Sequence, residues 1–166
     1  MARTLLSATA VLCALCATAT AKDRTEGALQ PHIVHILMDD LGWAEVGYHN
    51  TLARQTGDIS TPNLDKLAAT GLELDRFYAE KICSPSRCSL QSGRFGVHVN
   101  VQNVFPEVTN LADPVGGYQG MPVNMTGVAE VLRDHGYTTR MVGKWDVGMA
   151  TTHHSPEARG YTEWLG

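Results

Sequence analysis

The distribution of apolar residues along the chain predicts alternating strands and helices. His32–Met38 is a continuous apolar run, which is typical of a strand buried on both faces of a parallel sheet. Ser60–Gly71 has helical signals, and Leu72–Tyr78 then alternates apolar and acidic residues, which favours a strand near a sheet edge. Helical periodicity returns in Thr126–His135 and precedes a strand-like segment, Tyr137–Val142. This order of strands and helices predicts an α/β fold.

Two of the helices carry local start and stop signals. Thr61 is a suitable N-cap for the first helix, because a proline follows it. The segment Cys83–Arg94 predicts a loop that enters a short helix. In this segment Ser84 is expected to cap the helix, Pro85 to fit its first turn and Gly93 to end it.

The first 21 residues differ in character from the rest of the chain. Met1–Ala21 contains Arg3, then an apolar stretch, Leu5–Leu15, then small residues, which is the pattern of a secretory signal peptide. The apolar stretch is too short to span a bilayer. We therefore predict cleavage after Ala21, an N-terminal linker over 22–30 and a folded region over 31–166. The predicted location is the secretory pathway, with secretion and lysosomal delivery both left open.

The charge and the cysteine content of the chain limit the functions that it can have. Removing Arg3 leaves 12 of the 13 Lys and Arg residues against 17 Asp and Glu, and no basic block is present. A mildly acidic chain of this kind argues against nucleic-acid binding. Cys83 and Cys88 are the cysteines of the predicted mature chain, and by themselves they suggest a disulfide that closes a small loop. If the segment is helical, however, residues five apart point in different directions and cannot be bridged.

An acidic pair, Asp39 and Asp40, follows the first predicted strand. Open α/β sheets bind ligands outside the carboxyl ends of their strands. Adjacent carboxylates repel each other unless they are solvated or share a cation, and oxygen ligands suit Ca²⁺ or Mg²⁺. Taken alone, such a pair is more often a solvated acidic turn than a metal site.

The segment Cys83-Ser84-Pro85-Ser86-Arg87, followed by Ser92-Gly93-Arg94, resembles the signature of the sulfatase family. In that family an enzyme of the secretory pathway oxidises the cysteine to formylglycine. Three further blocks stand in the family's order, namely Pro31–Gly42, Thr61–Asp65 and Gly136–Trp145. The resemblance implies an alkaline-phosphatase-like fold, a mixed sheet sandwiched by helices, of which 31–166 would be the N-terminal part of the catalytic domain, incomplete at the C-terminus. The order of blocks most resembles the arylsulfatase B-like branch, which implies carbohydrate sulfates.

The resemblance also implies a role for each candidate site residue. Residue 83, as the formylglycine hydrate, would be the nucleophile: one hydroxyl attacks sulfur, and the other later expels sulfate as the carbonyl re-forms. Asp39, Asp40 and residue 83 would hold a Ca²⁺ or Mg²⁺ ion. Arg87 would hold the hydrate or a sulfate oxygen, and Lys144 would stabilise charge on the sulfuryl oxygens.

Position 146 departs from the family's pattern. The family usually has a histidine two residues after the lysine that Lys144 matches, and that histidine hydrogen-bonds the formylglycine; here Asp146 occupies the position. An ionised aspartate accepts a proton but cannot donate one, and it repels sulfate unless it is paired with Lys144 or the metal. His153 and His154 are nearby candidates to compensate, whereas His35 is expected in the core.

The sequence therefore predicts a sulfuric ester hydrolase that cleaves carbohydrate or aryl sulfates. Its expected partners are the sulfated substrate and the formylglycine-generating enzyme, with no nucleic acid and no membrane span. Two alternatives are left open: a related metal-dependent phosphatase or phosphodiesterase, and a catalytically inactive secreted binding protein with the same fold. The family completes its metal site further downstream, so the 166-residue chain alone is expected to bind metal poorly and to turn over little. Asn124-Met125-Thr126 is an N-glycosylation sequon.

Overall fold

A computed structural model describes residues 30–99, 109–113 and 115–166. The predicted signal peptide, Met1–Ala21, and all of the predicted linker except Gln30 lie outside these residues. Residues 30–37 belong to a separate unit from Met38–Gly166, and they are extended and exposed. Within the described part of the chain, none of the helices has the length and apolar character of a membrane span.

Helices dominate the regular structure of the described residues. The α-helices are α1 (Thr51–Thr56), α2 (Pro62–Thr70), α3 (Cys83–Ser92) and α4 (Val128–Asp134). Short 3₁₀ turns lie at Trp43–Glu45, Gly96–His98 and Thr152–His154. Helices α2, α3 and α4 confirm the three predicted helical segments, each with shorter ends. Helix α1 was not predicted, because six residues are too few to display a helical period.

The helix ends show where local signals are reliable. Thr61 occupies the N-cap position of α2, as predicted, although its hydroxyl donates to the Asp65 carboxylate, 2.8 Å away, rather than capping a backbone amide. Gly93 ends α3 in the left-handed conformation, also as predicted. The prediction that Ser84 caps α3 is wrong. Ile82 is the N-cap residue, and Ser84 lies inside the first turn with 1% of its surface exposed.

Two short parallel strands follow α4 in the chain. Strand β1 (Arg140–Val142) confirms the strand predicted within Tyr137–Val142, and it pairs with β2 (Glu163–Leu165). The Trp164 indole Nε1 donates to the Gly143 carbonyl, 3.0 Å away, just beyond the end of β1. Strand β2 was not predicted, because three residues are too few to show alternation.

The other two predicted strands, His32–Met38 and Leu72–Tyr78, are not formed. Their apolar side chains are exposed, with Val34 at 82% and Leu72 at 88%. A strand exists only where a neighbouring strand accepts and donates its backbone hydrogen bonds. Neither segment has such a neighbour among the described residues, so an apolar pattern alone did not produce a strand.

The core of the described region packs behind α3. Its buried members are Cys88, Val99, Met121, Trp145 and Val147. The Trp145 indole Nε1 donates to the carbonyls of Gly148 and His154, at 3.0 and 2.9 Å, which fixes the chain beyond β1. Cys83 and Cys88 are both free, so the disulfide alternative is excluded. Cys88 is fully buried, and burial raises the pKa of its thiol to about 12.

A buried arginine ties the turn before α4 to the region after β1. Arg159 pairs with Glu130 at 3.2 Å, and its guanidinium also donates to the carbonyls of Val123 and Met125. The adjacent Gly160 has a φ of +97°, and a Cβ there would lie 2.5 Å from the Glu130 amide nitrogen, so only glycine fits. The turn that carries Asn124 is therefore held by hydrogen bonds from the buried Arg159 guanidinium.

Candidate active site at the start of helix α3

One face of α3 organises the candidate site. Ser84, Arg87 and Cys88 lie on the same face because they are separated by three and four residues. The Ser84 hydroxyl donates to Asp146 Oδ1 at 2.9 Å, and Arg87 Nη1 donates to the Lys144 carbonyl at 2.7 Å. Cys88 Sγ lies 3.9 Å from the Val147 carbonyl. The segment after β1 is thereby fixed along the first turns of the helix.

Two carboxylates lie beside the first residue of that helix. Asp39 Oδ1 is 3.5 Å from Cys83 Sγ, and Asp40 Oδ1 is 3.8 Å from the same sulfur. One atom from each of these three residues lies within 4.8 Å of the others, so the group could hold a metal ion. Asp40 has a φ of +55°, a left-handed conformation that is uncommon outside glycine and that clusters at functional sites.

Two cations also contact the Asp39 carboxylate. Arg87 Nη2 lies 3.1 Å from Asp39 Oδ1, and Lys144 Nζ lies 3.5 Å from Asp39 Oδ2. The Arg87 hydrogen bond, followed by that of Cys83, lowers the pKa of the Asp39 carboxyl. The neighbouring Cys83 sulfur and the carboxylates of Asp39 and Asp146 raise the pKa of the Lys144 amine. Both shifts favour the charged forms at neutral pH.

Asp146 is the third carboxylate of the cluster. Its Oδ2 lies 3.7 Å from Lys144 Nζ, so the lysine sits between two carboxylates. Asp146 is also in the left-handed region, with a φ of +52°. Among the described residues, Asp40 and Asp146 are the two non-glycine residues with positive φ, and both belong to this cluster.

Most of the candidate residues named from the sequence meet here, whereas the candidate histidines do not. The structure brings together six of them, namely Asp39, Asp40, Cys83, Arg87, Lys144 and Asp146. His154 is buried and its Nδ1 lies 2.8 Å from the Thr151 hydroxyl, while burial lowers the pKa of its imidazole. His153 is exposed, and among the described residues neither histidine forms a hydrogen bond or ion pair with the cluster. His35, expected in the core, is exposed.

Sequence reasoning missed one participant, Ser84. Its residue type suggested a helix cap, and nothing in the local pattern indicated that its hydroxyl would reach a carboxylate 62 positions away. The left-handed backbone at Asp146 was missed for a related reason, since aspartate tolerates this conformation without any accompanying sequence signal. Both features become visible only when the segment after β1 is placed beside α3.

The comparisons with known proteins agree with this geometry. The family model described as Sulfatase matches residues 31–166, and the chain belongs to the sulfatase family. It is 42% identical over 140 residues to arylsulfatase G from Mus musculus, which covers 84% of this chain and 24% of the relative. It is 37% identical over 142 residues to N-acetylgalactosamine-6-sulfatase from Homo sapiens, which covers 84% of this chain and 26% of the relative. The chain thus spans about a quarter of the length of these relatives.

Solved structures show the fold. Ps i-CgsB in complex with k-i-k-neocarrahexaose superposes with a TM-score of 0.61 at 32% identity, covering 77% of this chain and 26% of that chain. The PsFucS1 sulfatase from Pseudoalteromonas sp. superposes with a TM-score of 0.60 at 32% identity, covering 78% and 24%. These matches confirm the predicted α/β fold of the alkaline-phosphatase-like class, of which this chain contains the N-terminal region.

Proposed function

We propose that this protein is a sulfuric ester hydrolase whose nucleophile is a formylglycine made from Cys83. The observation that carries the proposal is the position of Cys83 at the first turn of α3. There its sulfur lies 3.5 Å from one carboxylate and 3.8 Å from a second, beside the cations of Arg87 and Lys144. Relatives with names such as arylsulfatase G support the same activity.

The donor set explains why the thiol itself would not serve. Carboxylate oxygens suit a hard cation such as Ca²⁺ or Mg²⁺, whereas a sulfur ligand suits softer metals. An oxygen at residue 83 would make the three ligands consistent, and formylglycine hydrate supplies one. A thiolate would also form a stable thiosulfate ester and stall. The hydrate has two hydroxyls, so one can attack sulfur and the other can drive release of sulfate.

The proposed metal ligands are Asp39, Asp40 and residue 83. When bound, the ion would lower the pKa of the attacking hydroxyl and neutralise sulfate oxygens. Arg87, with 9% of its side chain exposed, holds the Asp39 carboxylate in place through a charge-assisted hydrogen bond. Lys144, which is 43% exposed, remains accessible to a sulfuryl oxygen and would stabilise the charge that develops there. The backbone amides at the start of α3 add further donors for an anion.

The proposed substrates are carbohydrate or aryl sulfates. N-acetylgalactosamine-6-sulfatase is named for a sulfated sugar, and Ps i-CgsB was solved with an oligosaccharide. The proposed partners are therefore the sulfated substrate and the formylglycine-generating enzyme that matures residue 83. The proposed location is the secretory pathway.

Hydrolysis of matched aryl sulfate and aryl phosphate esters tests the proposal. The full-length protein, produced with a formylglycine-generating enzyme and supplied with Ca²⁺ or Mg²⁺, is expected to cleave the sulfate at the higher kcat/KM. Mass spectrometry of the tryptic peptide Ile82–Arg87 should show the aldehyde or its hydrate in place of the thiol. Preferential cleavage of the phosphate would favour the phosphatase alternative. An unmodified thiol together with no turnover would favour a binding protein.

We also propose that Asn124 carries an N-linked glycan. The side chain is exposed in a turn closed by a 3.0 Å hydrogen bond from the Met125 amide to the Pro122 carbonyl, and Arg159 supports this turn from beneath. A glycan there would project from the surface without disturbing the core. In a eukaryotic secretory host, treatment with peptide N-glycosidase is expected to reduce the apparent mass of the protein.

Two variants that break the sequon and one control variant test whether Asn124 carries the glycan. Asn124→Gln and Thr126→Ala should both lower the mass released by the enzyme by one glycan, because each breaks the sequon. Asn63→Gln, at an exposed position of α2 that is not part of a sequon, should leave it unchanged. A wild-type protein of unaltered mass after enzyme treatment would refute the assignment.

A further inference from the structure

The strongest unexplained feature of the site is the fixed position of Asp146. Its neighbours on both sides, Trp145 and Val147, are buried at 3% and 2% exposure. The Trp145 indole is held by two carbonyl groups, so the backbone on either side of Asp146 cannot shift freely. The left-handed φ of +52° at Asp146 turns the chain between these two anchors. An uncommon backbone conformation persists only where the surrounding structure fixes it.

The Asp146 carboxylate uses its two oxygens for different purposes. Oδ1 accepts a 2.9 Å hydrogen bond from Ser84, whose hydroxyl belongs to a residue with 1% exposure. Oδ2 faces Lys144 Nζ at 3.7 Å. One oxygen is therefore anchored to a buried donor on α3, and the other is presented to the exposed ammonium that faces the proposed sulfate position.

The charge of Asp146 has a direct consequence for anion binding. The cluster contains three carboxylates, from Asp39, Asp40 and Asp146, and two cations, from Arg87 and Lys144. Asp39 and Asp40 are the proposed metal ligands, whereas the Asp146 carboxylate contacts Ser84 and Lys144. Its negative charge therefore falls mainly on Lys144, where it partly offsets the attraction of that ammonium for an anion.

We propose that Asp146, anchored by Ser84, is a positioning residue that fixes the Lys144 ammonium and weakens the affinity of the site for sulfate. The inference rests on the proposed function and deepens it, because sulfate is the product that must leave. Two cationic groups and a metal ion would otherwise retain a dianion strongly. A carboxylate next to Lys144 keeps the ammonium in position to contact the substrate, and it also favours release of the sulfate product.

The variant Asp146→Asn separates charge from shape. Asparagine tolerates the left-handed conformation, and its amide oxygen still accepts the Ser84 hydrogen bond. Removing the charge is expected to tighten the binding of inorganic sulfate on the order of tenfold. Because Lys144 loses one of its two carboxylate partners, kcat for an aryl sulfate is expected to fall by about tenfold while KM falls as well.

The variant Ser84→Ala tests the anchor. It keeps the charge of Asp146 but releases its carboxylate, so kcat is expected to fall as in Asp146→Asn while sulfate affinity stays within about twofold of wild type. Two control variants should leave kcat and sulfate affinity unchanged. Asp134→Asn removes an exposed carboxylate that pairs with Arg133, and Ser89→Ala removes an α3 hydroxyl that has no hydrogen-bond partner in the described region.

The experiment uses the full-length, metal-loaded protein. Sulfate affinity is measured by the sulfate-dependent shift of the unfolding midpoint and by inhibition of turnover. Rates are expressed per formylglycine, counted by mass spectrometry in every variant. Sulfate affinity that is unchanged or weaker in Asp146→Asn would overturn the inference. If the wild type fails to cleave any sulfate ester, the proposed function fails, yet the midpoint shift still decides whether Asp146 opposes sulfate binding.

Discussion

Replacing Cys83 by alanine is expected to abolish hydrolysis of sulfate esters, with a loss of about 10³-fold or more in kcat. Alanine cannot be oxidised to an aldehyde, so neither the attacking hydroxyl nor the hydroxyl that later expels sulfate can form. The substitution also removes the third proposed metal ligand, which lies within 4.8 Å of the two carboxylates. Turnover of an aryl sulfate measures the loss of hydrolysis, and mass spectrometry of the peptide that contains residue 83 checks that no aldehyde is formed.

Cys88→Ala is the matched control for this experiment. Cys88 is fully buried in the core, and its thiol stays protonated because burial raises its pKa to about 12. Removing its sulfur leaves a small cavity and is expected to lower the free energy of unfolding by about 1–2 kcal/mol. Turnover per formylglycine should remain within a few-fold of wild type. A Cys83→Ala protein with wild-type turnover would contradict the proposed nucleophile.

The two cysteines illustrate how much of the site could be predicted from the sequence. Their type and compartment suggested a disulfide, whereas the helical signals of Pro85 and Gly93 and the resemblance to the sulfatase signature argued against it. The structure confirms the helix. It places the Cys83 sulfur beside the carboxylates of Asp39 and Asp40, and it buries Cys88 in the core. Start and stop signals are encoded within a few neighbouring residues, which is why α2 and α3 could be predicted.

Strands were predicted less well, because a strand depends on a partner that the local sequence does not name. His32–Met38 has the stronger apolar pattern, yet it pairs with nothing in the described region. Glu163–Leu165 has almost no pattern, yet it pairs with β1. The β2 strand therefore forms because β1 is available to pair with it, and not because of its own hydrophobic pattern.

The identity of the site residues was predictable, but their mutual contacts were not. The family motifs named Asp39, Arg87 and Lys144 separately. Nothing in the sequence showed that the two cations would share one carboxylate across 48 and 105 positions. The pairing of Ser84 with Asp146 was equally hidden. The contacts of Ser84 and Arg87 with Asp146 and Lys144 arise because the segment after β1 lies along one face of α3, which is a property of the fold.

Asp39 is the residue on which most of the site converges, so Asp39→Asn is expected to have a large effect. Its Oδ1 faces Cys83 Sγ and Arg87 Nη2, and its Oδ2 faces Lys144 Nζ. An asparagine of the same shape must present its NH₂ group to one of the two cations, whichever way the amide is turned. The substitution therefore removes a negative charge and places the amide NH₂ group, a donor, against the donor groups of Arg87 or Lys144.

Two losses are expected from Asp39→Asn, one in metal binding and one in turnover. Affinity for Ca²⁺ or Mg²⁺ should fall because one charged oxygen ligand is gone, and kcat per formylglycine should fall by about 10²- to 10³-fold. Equilibrium dialysis with the metal and aryl sulfate kinetics measure the two losses independently. Asp58→Asn, at an exposed carboxylate that accepts from the Thr56 hydroxyl at 2.6 Å, is the control and should change neither. Full metal affinity and full turnover in Asp39→Asn would remove Asp39 from the proposed metal site and leave its contacts with Arg87 and Lys144 as purely structural.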